Sequence, residues 1–212
     1  MPAFKIILSV AALVSAGLTI WSDSAGRKRL YRIAKPLTTV LIIAVAAIAA
    51  APVPASYKML ILAGLLFSLL GDVALMFPAK WFTAGLVAFL TAHVFYILAF
   101  KPGPGHRAST AIFLPFILYG LLMFFLLAPR LGKMKLPVLV YIGVITAMAG
   151  FAAGQFVDLG GTPPLLAFAG AILFLISDSV LAYDRFAKKI PRAQLFILGT
   201  YFPAQLLIAL SI

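Results

Sequence analysis

The sequence contains no cysteine and no glutamate, and only two histidines, His93 and His106. Without cysteine there is neither a disulfide frame nor a thiolate metal site. Two histidines with no His-Glu-x-x-His pair call for no metal, and no Gly-x-Ser-x-Gly elbow or glycine-rich phosphate loop calls for another cofactor. Charge is scarce as well. Only 10% of the 212 residues are charged, against about a quarter in a soluble domain, while 64% are hydrophobic.

Apolar runs of roughly 17 to 21 residues fill the chain instead, each long enough to cross a hydrocarbon core of about 30 Å. We read eight spans, at residues 4–21, 36–51, 58–77, 81–100, 109–128, 136–153, 163–183 and 193–212. The expected fold is an all-α, polytopic membrane protein forming a single transmembrane domain over residues 1–212. Pro52, Pro54, Pro78, the PGPGH stretch (102–106), Pro129 and GGTPP (160–164) mark the connections. Pro203, inside the last span, should kink it. The phenylalanine-rich run FLPFILYGLLMFF (113–125) reads as a lipid-facing helix.

The net charge of +12 is explained by topology and does not require nucleic acid. Thirteen of the 17 basic residues follow spans 1, 3, 5 and 7: Arg27, Lys28, Arg29, Arg32, Lys35; Lys80; Arg130, Lys133, Lys135; Arg185, Lys188, Lys189, Arg192. Lys5, Lys58, Lys101 and Arg107 lie on the other side. The positive-inside rule makes the first set cytoplasmic and puts both termini outside. The same charge suits anionic lipid headgroups. Span 1 reads as a retained helix and not a cleaved leader, because one lysine precedes it and five basic residues follow closely.

Half a chain apart, AGLLFSLLGDVAL (63–75) and AGAILFLISDSVL (169–181) align without gaps, each with an aspartate at the same place. KPLTTVLI (35–42) corresponds to KLPVLVYI (135–142), and FLTAHVFYI (89–97) more loosely to YFPAQLLIA (201–209), which sets His93 opposite Gln205. Two four-helix halves, about 1–106 and 107–212, would have the same orientation and form parallel repeats about an axis along the membrane normal.

All five acidic residues are aspartate. Asp23 and Asp158 fall in expected loops and Asp184 at a rim, which leaves Asp72 and Asp178 inside spans, four or five residues from the cytoplasmic end. An aspartate at a span centre costs about 3 kcal/mol to insert, and less near the ends. One explanation is structural: each carboxyl bonds a serine or tyrosine in a helix interface. The other is chemical. Two carboxylates brought together in a low-dielectric site cannot both ionise cheaply, so the pair offers an acid beside a base. Gly64, Gly71, Gly170 and Ser177 on the same helices would permit close approach.

His93, Gln205 and Tyr201 are the other notable polar residues within spans, and each fits a structural or a functional role, with Tyr201 leaning to the structural one. Arg185 follows Asp178 by two helical turns on the same face. It suits either a lipid phosphate or a snorkelling anchor, and Lys35, just before Pro36, carries the same two readings.

GDVALM (71–76), TAHVFY (91–96), SDSVLAYDRF (177–186) and TYFPAQLLI (200–208), with the Lys-Pro at 35–36, resemble the YhhN-type lysoplasmalogenase-like membrane proteins over essentially the whole chain. The resemblance implies an eight-helix hydrolase needing no metal, which cleaves the vinyl ether of lysoplasmalogens to a fatty aldehyde and a glycerophospho-ethanolamine or -choline. Asp72 and Asp178 match the positions expected to be catalytic. Arg185 and Lys35 would meet the substrate phosphate, and His93, Gln205 and Tyr201 would orient water or glycerol. A bacterial inner membrane, with the site near the cytoplasmic leaflet, is the expected location. A proton-coupled transporter using the same aspartates is the main alternative, followed by an intramembrane aspartyl protease and a non-catalytic lipid-binding scaffold.

Overall fold

A computed structural model describes residues 2–50, 53–77, 79–101 and 109–212. Pro52, Pro78, the 102–106 stretch and Arg107, named above as connections or loop charge, lie outside the described residues. Eight α-helices run through the rest: α1 (Pro2–Ser24), α2 (Lys28–Ile48), α3 (Ala55–Leu75), α4 (Phe82–Phe100), α5 (Leu114–Leu127), α6 (Lys135–Leu159), α7 (Thr162–Ala182) and α8 (Ala193–Leu210). Each helical run is long and apolar enough to cross a membrane.

Several helices begin or end away from the expected points, and the differences bear on the site. α2 starts at Lys28 and contains Pro36, so Lys35 stands within the helix and not in a loop. Pro36 is the ninth residue of the helix, in its third turn, so it removes the bond that its N–H would make to the Arg32 carbonyl, and the helix runs on through it. Asp23 and Asp158, expected in loops, lie in the last turns of α1 and α6. α7 passes into a π-helical turn over Tyr183–Ala187, closed by the Lys188 N–H donating to the Tyr183 carbonyl at 3.1 Å. Asp72 therefore stands three residues from the end of its helix, about 4.5 Å, while Asp178 stands nine residues from Ala187, about 13 Å.

Short connections make antiparallel pairs of α1 with α2, α3 with α4, α5 with α6, and α7 with α8. α2 packs on α3 as α6 packs on α7, and α2 meets α8 as α6 meets α4. α1 also packs on α8, whereas α5 makes little contact with α4. The turn between α6 and α7 uses Gly160 and Gly161 at φ +61° and +76° with ψ near 180°, a region open essentially to glycine alone.

The glycines flanking the aspartates do allow close packing, but in a different direction from the expected one. A Cβ on Gly64 would strike the Tyr96 ring, and one on Gly71 would lie 2.6 Å from Phe89, both on α4. A Cβ on Gly170 would lie 2.7 Å from Ile208 and 2.8 Å from the Ala204 carbonyl of α8. The close approaches are thus α3 on α4 and α7 on α8, not α3 on α7. Helix backbones that can touch gain packing that lipid tails do not supply.

Buried residues of α2 (Ala34, Lys35, Thr38, Thr39, Ile42, Val45, Ala46) recur at helical spacing and form one inward stripe. α4 does the same with Gly85, Phe89, Ala92, His93 and Tyr96. α5, in contrast, exposes Leu114, Ile117, Leu118, Leu121, Leu122 and Phe125, as a lipid-facing helix would.

Candidate active site

Polar atoms inside an apolar bundle cost free energy unless they are paired. Ser15, Thr19 and Thr38 pair with one another between α1 and α2, and Ser211 with Tyr57, while a separate set of buried polar residues gathers around the two aspartates. Asp72, on α3, is buried. Its Oδ1 lies 3.3 Å from Lys35 Nζ. Its Oδ2 accepts from Thr39 at 2.6 Å and from Tyr201 at 2.7 Å. Lys35 and Thr39 are one helical turn apart, so a single face of α2 delivers both groups.

Behind Tyr201 the chain of bonds continues. Gln205, one turn further along α8, donates from Nε2 to the Tyr201 oxygen at 3.2 Å and accepts from the Tyr96 hydroxyl of α4 at 2.7 Å. Asp72 is thus held by α2 and α8, and α8 is held in turn by α4.

Asp178, on α7, accepts at Oδ2 from the hydroxyl of Tyr141 on α6. His93 Nε2, on α4, stands 3.9 Å from the same oxygen. The imidazole is fully buried, and neither ring nitrogen has a hydrogen-bond partner. The Phe174 and Tyr141 rings meet it edge-on at centroid distances of 4.6 and 5.4 Å. One rule covers both carboxylates. Each accepts from the preceding helix, α2 or α6, and faces a helix of the other half, α8 for Asp72 through a hydrogen bond and α4 for Asp178 through the packed His93 ring.

Both aspartates line one cavity of about 210 Å³, together with Tyr31, Lys35, Tyr201 and, at its mouth, Asp184, Arg185 and Lys189. Arg185 is exposed, with its guanidinium 4.7 Å above the Phe82 ring. Asp184 accepts from Lys189 at 2.8 Å and from the Ile190 N–H at 2.9 Å, which ties the π-helical turn to the start of α8. A second, narrow and almost wholly apolar cavity runs between α4, α5, α6 and α7, past Leu86, Met123, Ile142 and Ile145. Asp178, Leu75, Phe82, Phe89 and Leu181 belong to both walls, so the polar and apolar spaces meet at Asp178.

Of the sequence-predicted site residues, Asp72, Asp178, Lys35, Tyr201 and Arg185 border the shared cavity. Gln205 and His93 do not; they stand one layer behind, against Tyr201 and Asp178. Lys35, expected to meet a phosphate, is buried and paired with Asp72. Each carboxylate has its own donors, and the two line the same cavity. Sequence reasoning passed over Thr39, Tyr141 and Tyr96. The available signal was a hydroxyl within an apolar run, one turn from Lys35 for Thr39 and three residues from His93 for Tyr96.

The chain is similar to curated proteins of two kinds. It is 38% identical over 165 residues to the human protein named lysoplasmalogenase TMEM86B, which covers 73% of this chain and 64% of that protein. It is 36% identical over 157 residues to lysoplasmalogenase TMEM86A of Bos taurus, covering 71% and 64%. With the membrane protein YhhN of Escherichia coli O157:H7 the identity is 27% over 203 residues, covering 96% and 97%. The aligned part spans less than two thirds, 64%, of the length of these mammalian relatives. No solved structure matches. The profile of the YhhN family matches residues 30–212, a stretch that includes both aspartates and every side chain bonded to them, and the chain belongs to that family.

Proposed function

We propose that this protein is a membrane hydrolase that cleaves the vinyl ether bond of lysoplasmalogens, with Asp72 and Asp178 as its catalytic pair. The carrying observation is the junction of the two cavities at Asp178. A single-chain alkenyl lipid has an apolar tail, a polar head and an acid-labile bond between them. The narrow apolar cavity suits the tail, the polar cavity with Arg185 at its mouth suits the phosphate, and the bond to be broken then falls beside a carboxyl group. The names of the mammalian relatives agree with this reading.

The chemistry requires little beyond what lines the walls. Protonation of the outer vinyl carbon turns the alkenyl ether into an oxocarbenium ion, water adds to the carbon next to oxygen, and the hemiacetal collapses to aldehyde and alcohol. A positioned acid contributes about 10²–10⁴-fold to such a step, and a neighbouring carboxylate stabilises the cation. Tyr201 holds Asp72 in place, Gln205 holds Tyr201, and His93 packs beneath Asp178; none of the three needs to touch the lipid. We read the molecule as two parallel four-helix repeats with both termini outside, in a bacterial inner membrane. The recurrence of packing pairs across the halves supports the repeats, and the basic residues at the cavity mouth support an opening under the inner headgroups.

Purified protein given an alkenyl lysophospholipid should release free aldehyde. Asp72→Asn and Asp178→Asn should each abolish release while the helical circular-dichroism spectrum is retained. Full release by both variants, or proton-driven solute uptake in proteoliposomes with no aldehyde formed, would overturn the proposal.

A further inference from the structure

Two carboxylates in one cavity are interchangeable only while their surroundings match, and these surroundings differ. Around Asp72 every neighbour is a donor. Lys35 Nζ, which has no acceptor capacity, stands 3.3 Å from Oδ1 as an ion pair while donating its hydrogen bond to the Asp72 main-chain carbonyl at 3.4 Å, and Thr39 and Tyr201 face Oδ2 at 2.6 and 2.7 Å. The direction of the Tyr201 hydrogen is fixed from behind. Tyr96 donates to Gln205 Oε1, so Gln205 presents its amide N–H to the Tyr201 oxygen, and the Tyr201 hydrogen is left for Asp72. A proton on Oδ1 would point at an ammonium, and one on Oδ2 would compete with the Tyr201 hydrogen already committed there. The site is built for an acceptor.

Around Asp178 the donor is Tyr141, on one oxygen, and among the described residues no lysine or arginine pairs with it. His93 approaches that same oxygen at 3.9 Å without a hydrogen bond. The cations at the mouth are engaged elsewhere: Arg185 stacks on Phe82 and Lys189 pairs with Asp184. Tyr31, which also lines the cavity, is neutral while it keeps its phenolic proton. Of the two aspartates, Asp178 borders both the polar and the apolar space, and Asp72 borders the polar one.

We propose that Lys35 makes the two carboxylates unequal, so that Asp72 remains an acceptor throughout the cycle and Asp178 delivers the proton. This rests on the substrate reading above. In the first step the O–H bond of Asp178 breaks and a C–H bond forms at the outer vinyl carbon from the π electrons, leaving an oxocarbenium ion and an Asp178 carboxylate. Water, oriented by hydrogen bonding to Asp72, then forms a C–O bond to the cationic carbon, and one of its protons goes to the Asp178 carboxylate, which restores the acid. In the hemiacetal the hydroxyl proton passes to the glycerol oxygen as that C–O bond breaks. Lys35 touches no reacting atom and is a positioning residue.

Infrared spectroscopy of the whole purified protein tests this without substrate, because a protonated carboxyl has a C=O stretch distinct from carboxylate and amide bands. At neutral pH the wild type should show one such band, absent in Asp178→Asn, retained in Asp72→Asn and moved but not lost in Asp178→Glu. Lys35→Met should add a second band and lower aldehyde release about 100-fold; Lys35→Arg should add none and recover most of the rate. If Lys35→Met does not fold, the two asparagine variants and Asp178→Glu decide the matter. Loss of the band in Asp72→Asn with survival in Asp178→Asn would overturn the proposal. So would survival in both variants or no band in the wild type. Aldehyde release from the same wild-type sample separates the readings: the expected bands without aldehyde would sink the substrate and leave the inequality standing, while aldehyde with the bands reversed would do the opposite.

Discussion

Tyr201 on α8 donates its hydroxyl hydrogen to Asp72 on α3 across 2.7 Å, joining residues 129 positions apart. The bond locks the last helix against the first half of the chain at the level of the cavity. Removing the hydroxyl leaves Asp72 with Thr39 and Lys35, and leaves the Gln205 amide hydrogen buried without an acceptor. A buried group stripped of its partner costs about 1–3 kcal/mol. Tyr201→Phe should therefore lower the thermal unfolding midpoint in detergent and reduce kcat more than it raises KM.

Gln205 should act through Tyr201 and Tyr96, since it does not border the cavity. Gln205→Leu leaves the Tyr96 hydroxyl and the Tyr201 oxygen each short of a partner. We expect about 1–3 kcal/mol of destabilisation and a fall in kcat with KM nearly unchanged, read from steady-state aldehyde release over a substrate series. A large rise in KM would show that Gln205 contacts the lipid after all.

The apolar cavity should set the preferred chain length. Met123, on α5, lines it and is flexible enough to be replaced by a larger ring. Met123→Trp should shift the preference towards shorter alkenyl chains, at about 0.8 kcal/mol for each methylene no longer buried. Competition between two chain lengths in mixed micelles measures the shift as a ratio of kcat/KM values. No shift would place the tail elsewhere.

Arg185 should contribute to binding and not to chemistry. Its guanidinium rests on the Phe82 ring at the mouth of the cavity. Arg185→Ala should raise KM for phosphate-bearing substrates with little change in kcat, and Arg185→Lys should recover only part of the loss, because a lysine gives up the planar, bidentate contact.

Glycine packing should divide the helices. Gly170→Val pushes a side chain against Ile208 and the Ala204 carbonyl, and overpacking of this kind costs about 1–3 kcal/mol. At Gly199 a Cβ meets nothing within 4 Å, so Gly199→Ala should leave the unfolding midpoint within about a degree of wild type, or raise it slightly.

Much of this protein is written in one dimension. Eight apolar runs of bilayer length, a charge imbalance across alternate loops and two aspartates half a chain apart are visible without coordinates, because hydrocarbon demands long helices and makes each buried charge conspicuous. Helix ends were less legible. Lys35 before Pro36 looks like a loop, and only the fold, by running α2 from Lys28, buries it. Which polar groups meet is a tertiary matter altogether. Lys35 and Thr39 can be paired from their spacing, but nothing local says that they face Asp72, or that Tyr141 faces Asp178 while Gln205 stands behind Tyr201. Those partners come from helices that neighbour one another only after the bundle closes, and hydrogen bonds reach about 3 Å, whatever the distance along the chain.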